Sequence, residues 1–137
     1  MDCLRELGEL AFGSRLRRLI NRTDADIAKV YRELGVDVQP RWFPLLFMLG
    51  RQKSMSITAA ANALHFSHTA INGLARQMTS RGLVCSESDR TDGRKRLLCL
   101  TAKGRQTITI LEPVWESIYH ITKQLVDSTE HNILLAV

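Results

Sequence analysis

Cysteine is scarce in this chain. There are three, Cys3, Cys85 and Cys99, with no CxxC pair and no Cys/His cluster, so neither a disulfide framework nor a zinc site is suggested. Aromatic residues make up only 6%, and no apolar run approaches the ~20 residues that a membrane-spanning helix needs. The opening MDCLRELGEL has acidic residues where a secretory signal needs a basic segment and a long apolar stretch, so the expected compartment is the cytoplasm. Catalytic signatures are also missing. Gly82, Gly93 and Gly104 are isolated rather than gathered in a phosphate-binding loop, and no nucleophile–base pair is visible. His65 and His68 are three apart, but a turn separates them and no carboxylate lies nearby. The expectation is a protein that is not an enzyme and needs no cofactor or metal.

What is present is an ordinary globular composition, 45% hydrophobic and 24% charged, in 137 residues that suffice for one core-forming domain. The net charge of +5 is unevenly spread. From Arg41 to Arg105 there are 11 Lys/Arg against 3 Asp/Glu, a net of +8, while the flanking segments together carry −3. A localised positive field attracts polyanions and releases their counterions, although a solvated basic face is the plainer reading of any single charge run.

Apolar residues from Leu4 to Leu34 recur at three- and four-residue steps, predicting an amphipathic helix that admits an interruption around Asn21–Asp24 and is ended by Gly35 and Pro40. Arg41–Arg51 is apolar nearly all round, as expected of a short helix at the domain centre. Ser56 can cap a helix over Ile57–Leu64, and Ser67 a second from His68 to about Arg81, stopped by Gly82. This is a helix-turn-helix pattern. Strands over Leu83–Ser88 and Arg96–Leu100 follow, and Thr101 then caps a long helix to about Leu125, which Pro113 should kink or divide. A last apolar piece covers Asn132–Val137.

On the second helix of the pair, Ile71, Leu74, Ala75 and Met78 share one face, while His68, Thr69, Asn72, Gly73, Arg76 and Ser80 lie mainly on the other. Short polar groups followed by a cation suit a helix whose first turns approach base edges in a major groove. For His68 and Thr69 the plainer account is a solvated first turn, and for Gly73 a tolerated flaw. Between the strands, Asp89-Arg90-Thr91-Asp92-Gly93-Arg94-Lys95 forms a charged tip. The Asp92–Arg94 spacing around a glycine allows the carboxylate to orient the guanidinium, and such an arginine suits a narrow, electronegative minor groove. A solvated hairpin tip is the usual meaning of a charged turn, but the capped helix pair upstream favours a winged arrangement that touches DNA.

The run SITAAANALHFSHTAINGLARQMTSRGLV and the following DRTDGRKRLLCLTAKG, a DxxDGRxxxLxLTxKG pattern, resemble the MarR family of winged-helix regulators. The segment LGVDVQPRWFPLLFMLG is similar to a subset in which this domain precedes an acetyltransferase, for which 137 residues leave no room. The resemblance implies a mainly α fold with a small β-hairpin wing. It divides the single domain, 1–137, into a winged helix-turn-helix at 40–100 and dimerisation helices at 1–35 and 101–137. It implies a homodimeric, sequence-specific DNA-binding repressor on a pseudo-palindromic operator, whose affinity falls when a small, often phenolic, effector binds, with no membrane partner. Ser67, His68, Thr69, Asn72 and Arg76 are then the major-groove candidates. Arg94 matches the wing arginine and Asp92 its orienting acid, with Arg90 and Lys95 beside them. A winged module that binds protein instead of DNA, or a regulator sensing oxidants through thiols, are the alternatives. Cys3 stands near the end where one peroxide-sensing subgroup has its thiol, and Cys85 and Cys99 are cross-strand neighbours in one register. Buried, inert thiols are the expectation for all three.

Overall fold

In the computed structural model, which describes residues 2–127, helices carry most of the chain and a three-stranded antiparallel sheet completes it. The N-terminal segment starts with α1, Cys3–Glu6, and a 3-10 turn, Gly8–Ala11, before the long α2, Phe12–Glu33. The interruption therefore falls at Gly8, whose φ of 54° leaves the helical region, and not at Asn21–Asp24. That polar stretch stays helical, with the Thr23 hydroxyl donating to the Leu19 carbonyl one turn back.

A 3-10 turn, Pro40–Trp42, leads into α3, Phe43–Arg51. As its composition predicts, α3 is the centre of the core: Leu45, Leu46 and Leu49 are fully enclosed, with Trp42 against them. Packed around it are Ala60 and Ala61 of α4, Ile57–Leu64, together with Ile71, Ala75 and Met78 of α5, His68–Ser80. Leu83, Val84, Leu98, Leu100, Ile108 and Leu111 close the cluster from the sheet and the last helix.

Strands β2, Val84–Ser88, and β3, Arg96–Leu100, pair as expected, with Cys85 opposite Cys99. A third strand, β1, Met55–Ser56, lies on the other side of β3, where Met55 faces Leu98. Two residues are too short to show a period-2 pattern, so only the pairing reveals it.

Helix α6, Ala102–Asp127, begins under Thr101, whose side-chain oxygen accepts from the Gly104 amide at 3.0 Å. It runs through Pro113 without a break, so of the two outcomes expected there, a kink or a division, the division does not occur. The start of α6 is pressed on the sheet: a Cβ on Gly104 would land on the Leu83 carbonyl. The stretch 128–137, including the apolar piece from Asn132, lies outside the described residues. No described helix is long and apolar enough to cross a membrane.

Candidate nucleic-acid interface

Each helix of the central pair is seated by its serine cap. Ser56 Oγ accepts from the Ala59 amide and Ser67 Oγ from the Ala70 amide, both at 3.0 Å. The turn between them uses His65 in the left-handed region, φ 53° and ψ 38°, with the Phe66 amide bonded back to the Ala61 carbonyl. Histidine tolerates that conformation better than β-branched residues do. This turn sets α5 across α4 so that Ile71, Ala75 and Met78 go inward.

The opposite face of α5 is open. Ser67, His68, Thr69, Asn72 and Arg76 are all exposed. Thr69, Asn72 and Arg76 follow one another at helical spacing and form a polar stripe. Ser67 differs from the others in that its hydroxyl oxygen is already engaged as the cap. Gly73 is half-buried, yet a Cβ there would meet nothing within 4 Å, so no packing contact requires the glycine. At its far end α5 is tied to the core by Gln77, whose Oε1 accepts from Trp42 Nε1 and from Arg41 Nη2, each at 2.9 Å.

The wing is a tight, self-bonded turn. The Asp89 carboxylate accepts from the Thr91 amide at 3.0 Å and its hydroxyl at 2.9 Å. These bonds, helped by Lys95, hold Asp89 below the usual carboxylate range despite some desolvation. The Asp89 amide reaches the Lys95 carbonyl and the Lys95 amide the Asp92 carbonyl, both at 3.0 Å. Arg90, Asp92, Arg94 and Lys95 are all exposed. One detail departs from the sequence reading. The Asp92 carboxylate accepts from the main-chain N–H of Arg94, at 3.1 Å, and forms no ion pair with its guanidinium. The acid shapes the turn and leaves the arginine head unneutralised; no ion pair of Arg94 occurs among the described residues. Lys95 and Arg96, at the base of the wing, share a groove of about 590 Å³ with Ser56, Thr58 and Asn62 of α4 and its cap.

Two further features belong to the folded arrangement, and only the first has no counterpart in the sequence, since the Cys85–Cys99 pairing was one of its possible registers. The first is a cavity of about 210 Å³ between α2, α6 and the start of α3, lined by Asp24, Ile27, Tyr31, Pro40, Phe43, Trp115 and Ile118. Trp115 Nε1 donates to the Tyr31 hydroxyl at 2.8 Å, and the Phe43 ring meets Trp115 edge-on at 5.0 Å. Burial pushes the Tyr31 phenol above its ordinary value, against the pull of that hydrogen bond. Its members are spread over 95 positions, and no local motif marks them. The second is at the wing's base, where Cys85 Sγ, Cys99 Sγ and a Glu87 carboxylate oxygen lie within 4.8 Å of one another. Of the three thiols expected to be buried, only Cys99 is; Cys85 is half-buried, and Cys3 is exposed on α1, none of whose residues is buried.

Comparison with known proteins agrees with this geometry. Residues 36–95 match the family model described as MarR family. No curated protein matches the chain in sequence. Similar solved structures include a probable transcriptional regulator from Pseudomonas aeruginosa, 22% identical, with a TM-score of 0.65 over 91% of this chain and 89% of that one. The heme sensor protein PefR from Streptococcus agalactiae, in complex with heme, is 24% identical, with a TM-score of 0.64 over 90% and 84%. Bordetella bronchiseptica BpsR, whose DNA binding is regulated by 6-hydroxynicotinic acid, is 25% identical, with a TM-score of 0.63 over 80% and 77%. The match over 36–95, which spans α3, the helix pair and the wing as far as Lys95, makes this part of the chain similar to the MarR family, and the fold is shared with these structures along nearly the whole described chain.

Proposed function

We propose that the protein is a homodimeric, DNA-binding transcriptional regulator of the cytoplasm, a repressor whose operator affinity falls when a small molecule binds, and that it has no catalytic activity. The observation that carries this is the Arg94 guanidinium, exposed and unpaired on a wing built only from its own turn hydrogen bonds. A turn that orders its backbone through Asp89 and Asp92 while keeping Arg90, Arg94 and Lys95 exposed is suited to a phosphate-rich surface and a narrow groove. The stripe Thr69, Asn72, Arg76 on α5 reads base edges, with His68 and the Ser67 cap at the helix entrance. Arg90 and Lys95 hold phosphates beside Arg94, and Asp92 acts through the turn.

A two-fold pair of such heads needs an interface, and the terminal helices supply it. Leu10 is 90% exposed, and Phe12, Leu16, Leu19 and Ile20 of α2 and Tyr119 and Ile121 of α6 are also open to solvent. That much apolar surface on one end of a small domain points to association with a second copy. The 210 Å³ cavity beside Tyr31 and Trp115 lies where the terminal helices meet the DNA-reading half, so a ligand there that fits one arrangement better than another shifts the spacing of the heads. BpsR, with its 6-hydroxynicotinic acid, is a precedent for a small aromatic effector in a protein of this fold.

The test is a titration against duplexes selected from a random library, run at several salt concentrations. Affinity should fall steeply with salt, and Arg94→Ala should weaken binding at least ten-fold without changing the helical content. Negligible affinity at low salt for every duplex would end the proposal.

A further inference from the structure

We propose that Cys85 and Cys99 form a dithiol–disulfide site at the base of the wing, closed by a hydroperoxide. The two residues are directly opposite on β2 and β3, and their Sγ atoms are 2.7 Å apart. The Thr101 amide bonds to Leu83 and the Asp89 amide to Lys95, which makes every second pair between them, Cys85–Cys99 included, a hydrogen-bonded one. In such a pair the Cα atoms lie about 5.5 Å apart, inside the roughly 4.4–6.8 Å that a disulfide spans. Both side chains leave the same face of the sheet. The strands are already in the register the bond needs, and closing it draws together two sulfurs that are in contact.

The surroundings give the two sulfurs different parts. Cys99 is buried, and burial together with its neighbours Cys85 and Glu87 pushes its thiol up to about 12, so it stays protonated. Cys85 is half-exposed and is the sulfur an oxidant can reach. Cys85 gives up its proton and its sulfur attacks the outer oxygen of ROOH; the O–O bond breaks, the outer oxygen stays on sulfur with its hydrogen as Cys85–SOH, and the alkoxide leaves as ROH by taking up the proton that Cys85 released. The Cys99 sulfur then attacks the Cys85 sulfur, the S–O bond breaks, and water leaves with the Cys99 proton. Two thiols and one hydroperoxide become one disulfide, one alcohol and one water. The contact already present between the sulfurs favours this closure over further oxidation of Cys85. The new bond staples β2 to β3 four residues before the turn that starts at Asp89, so the wing becomes covalently closed. This holds whether or not the wing binds DNA.

The site is tested on the full chain carrying Cys3→Ser, which removes the exposed competing thiol. Brief hydrogen peroxide treatment should lower the intact mass by two hydrogen atoms, and dithiothreitol should restore it. Tryptic digestion should yield Gly82–Arg90 joined to Leu97–Lys103. With Cys99→Ser added, the reaction should stop at a sulfenic acid on Cys85 that dimedone traps; with Cys85→Ser added, Cys99 should remain a free thiol. Circular dichroism before and after confirms that each variant is folded. The proposal is overturned if both thiols stay free, if Cys85 passes to sulfinic acid with Cys99 present, or if the joined peptides occur only in cross-linked dimers.

Discussion

Trp115 of α6 donates its indole N–H to the hydroxyl of Tyr31 in α2, across 84 positions of sequence and 2.8 Å of space. This bond joins the two terminal helices at the wall of the cavity between α2, α6 and the start of α3. Tyr31→Phe leaves the indole without its acceptor and should cost about 1–2 kcal/mol of stability. In a double-mutant cycle with Trp115→Phe, chemical denaturation should show a coupling of about 1 kcal/mol. Strictly additive losses would mean that the bond contributes nothing.

The wing should loosen in acid through Asp89. Its two hydrogen bonds to Thr91, the main-chain one first, hold its folded pKa below the unfolded value of about 3.9. A lowered pKa gives order that is complete above the usual carboxylate range and lost as the pH falls through the lower, folded value. The Thr91 amide resonance, followed by NMR from pH 6 downward, should move with a midpoint under the ordinary aspartate pKa. A midpoint at or above that value would contradict the geometry.

Phosphate-holding and base-reading residues should separate in their salt dependence. Lys95→Ala should weaken binding to all duplexes alike and reduce the salt slope by about one ion. Asn72→Ala should instead cost about 1–3 kcal/mol on the preferred duplex only, with the slope unchanged. Identical salt slopes and identical losses for both variants would remove the distinction between wing and helix.

Gly73 and Gly104 should respond in opposite directions to alanine. Nothing lies within 4 Å of a Cβ at Gly73, so Gly73→Ala should stabilise α5 by about 1 kcal/mol. At Gly104 the same methyl would strike the Leu83 carbonyl and crowd a Leu100 methyl, so Gly104→Ala should destabilise by about 3 kcal/mol. Thermal unfolding of the two variants decides both, and a rise for Gly104→Ala would show that α6 can retreat from the sheet.

Much of the local structure that carries the candidate site could be read before the fold. Ser56 and Ser67 announce their helices through local hydrogen bonds, and the inward face of α5 follows from the spacing of Ile71, Ala75 and Met78. Where prediction strayed, a non-local or conformational detail was decisive. Gly8 broke the first helix through its positive φ, while Asn21–Asp24 stayed helical. Asp92 was placed at the wing correctly but bonds to the Arg94 backbone, because the turn brings that N–H to it first.

Charge placement, caps and periodicity are properties of neighbours along the chain, and the amino-acid order alone settled them: a basic centre, a capped helix pair and a charged hairpin. The cavity at Tyr31 and Trp115 and the third strand beside Leu98 required the chain to close on itself, and folding selected the one register, among those the sequence allowed, that sets Cys85 against Cys99. Those features depend on which surfaces meet when α3 is buried, and no short window of residues encodes that meeting.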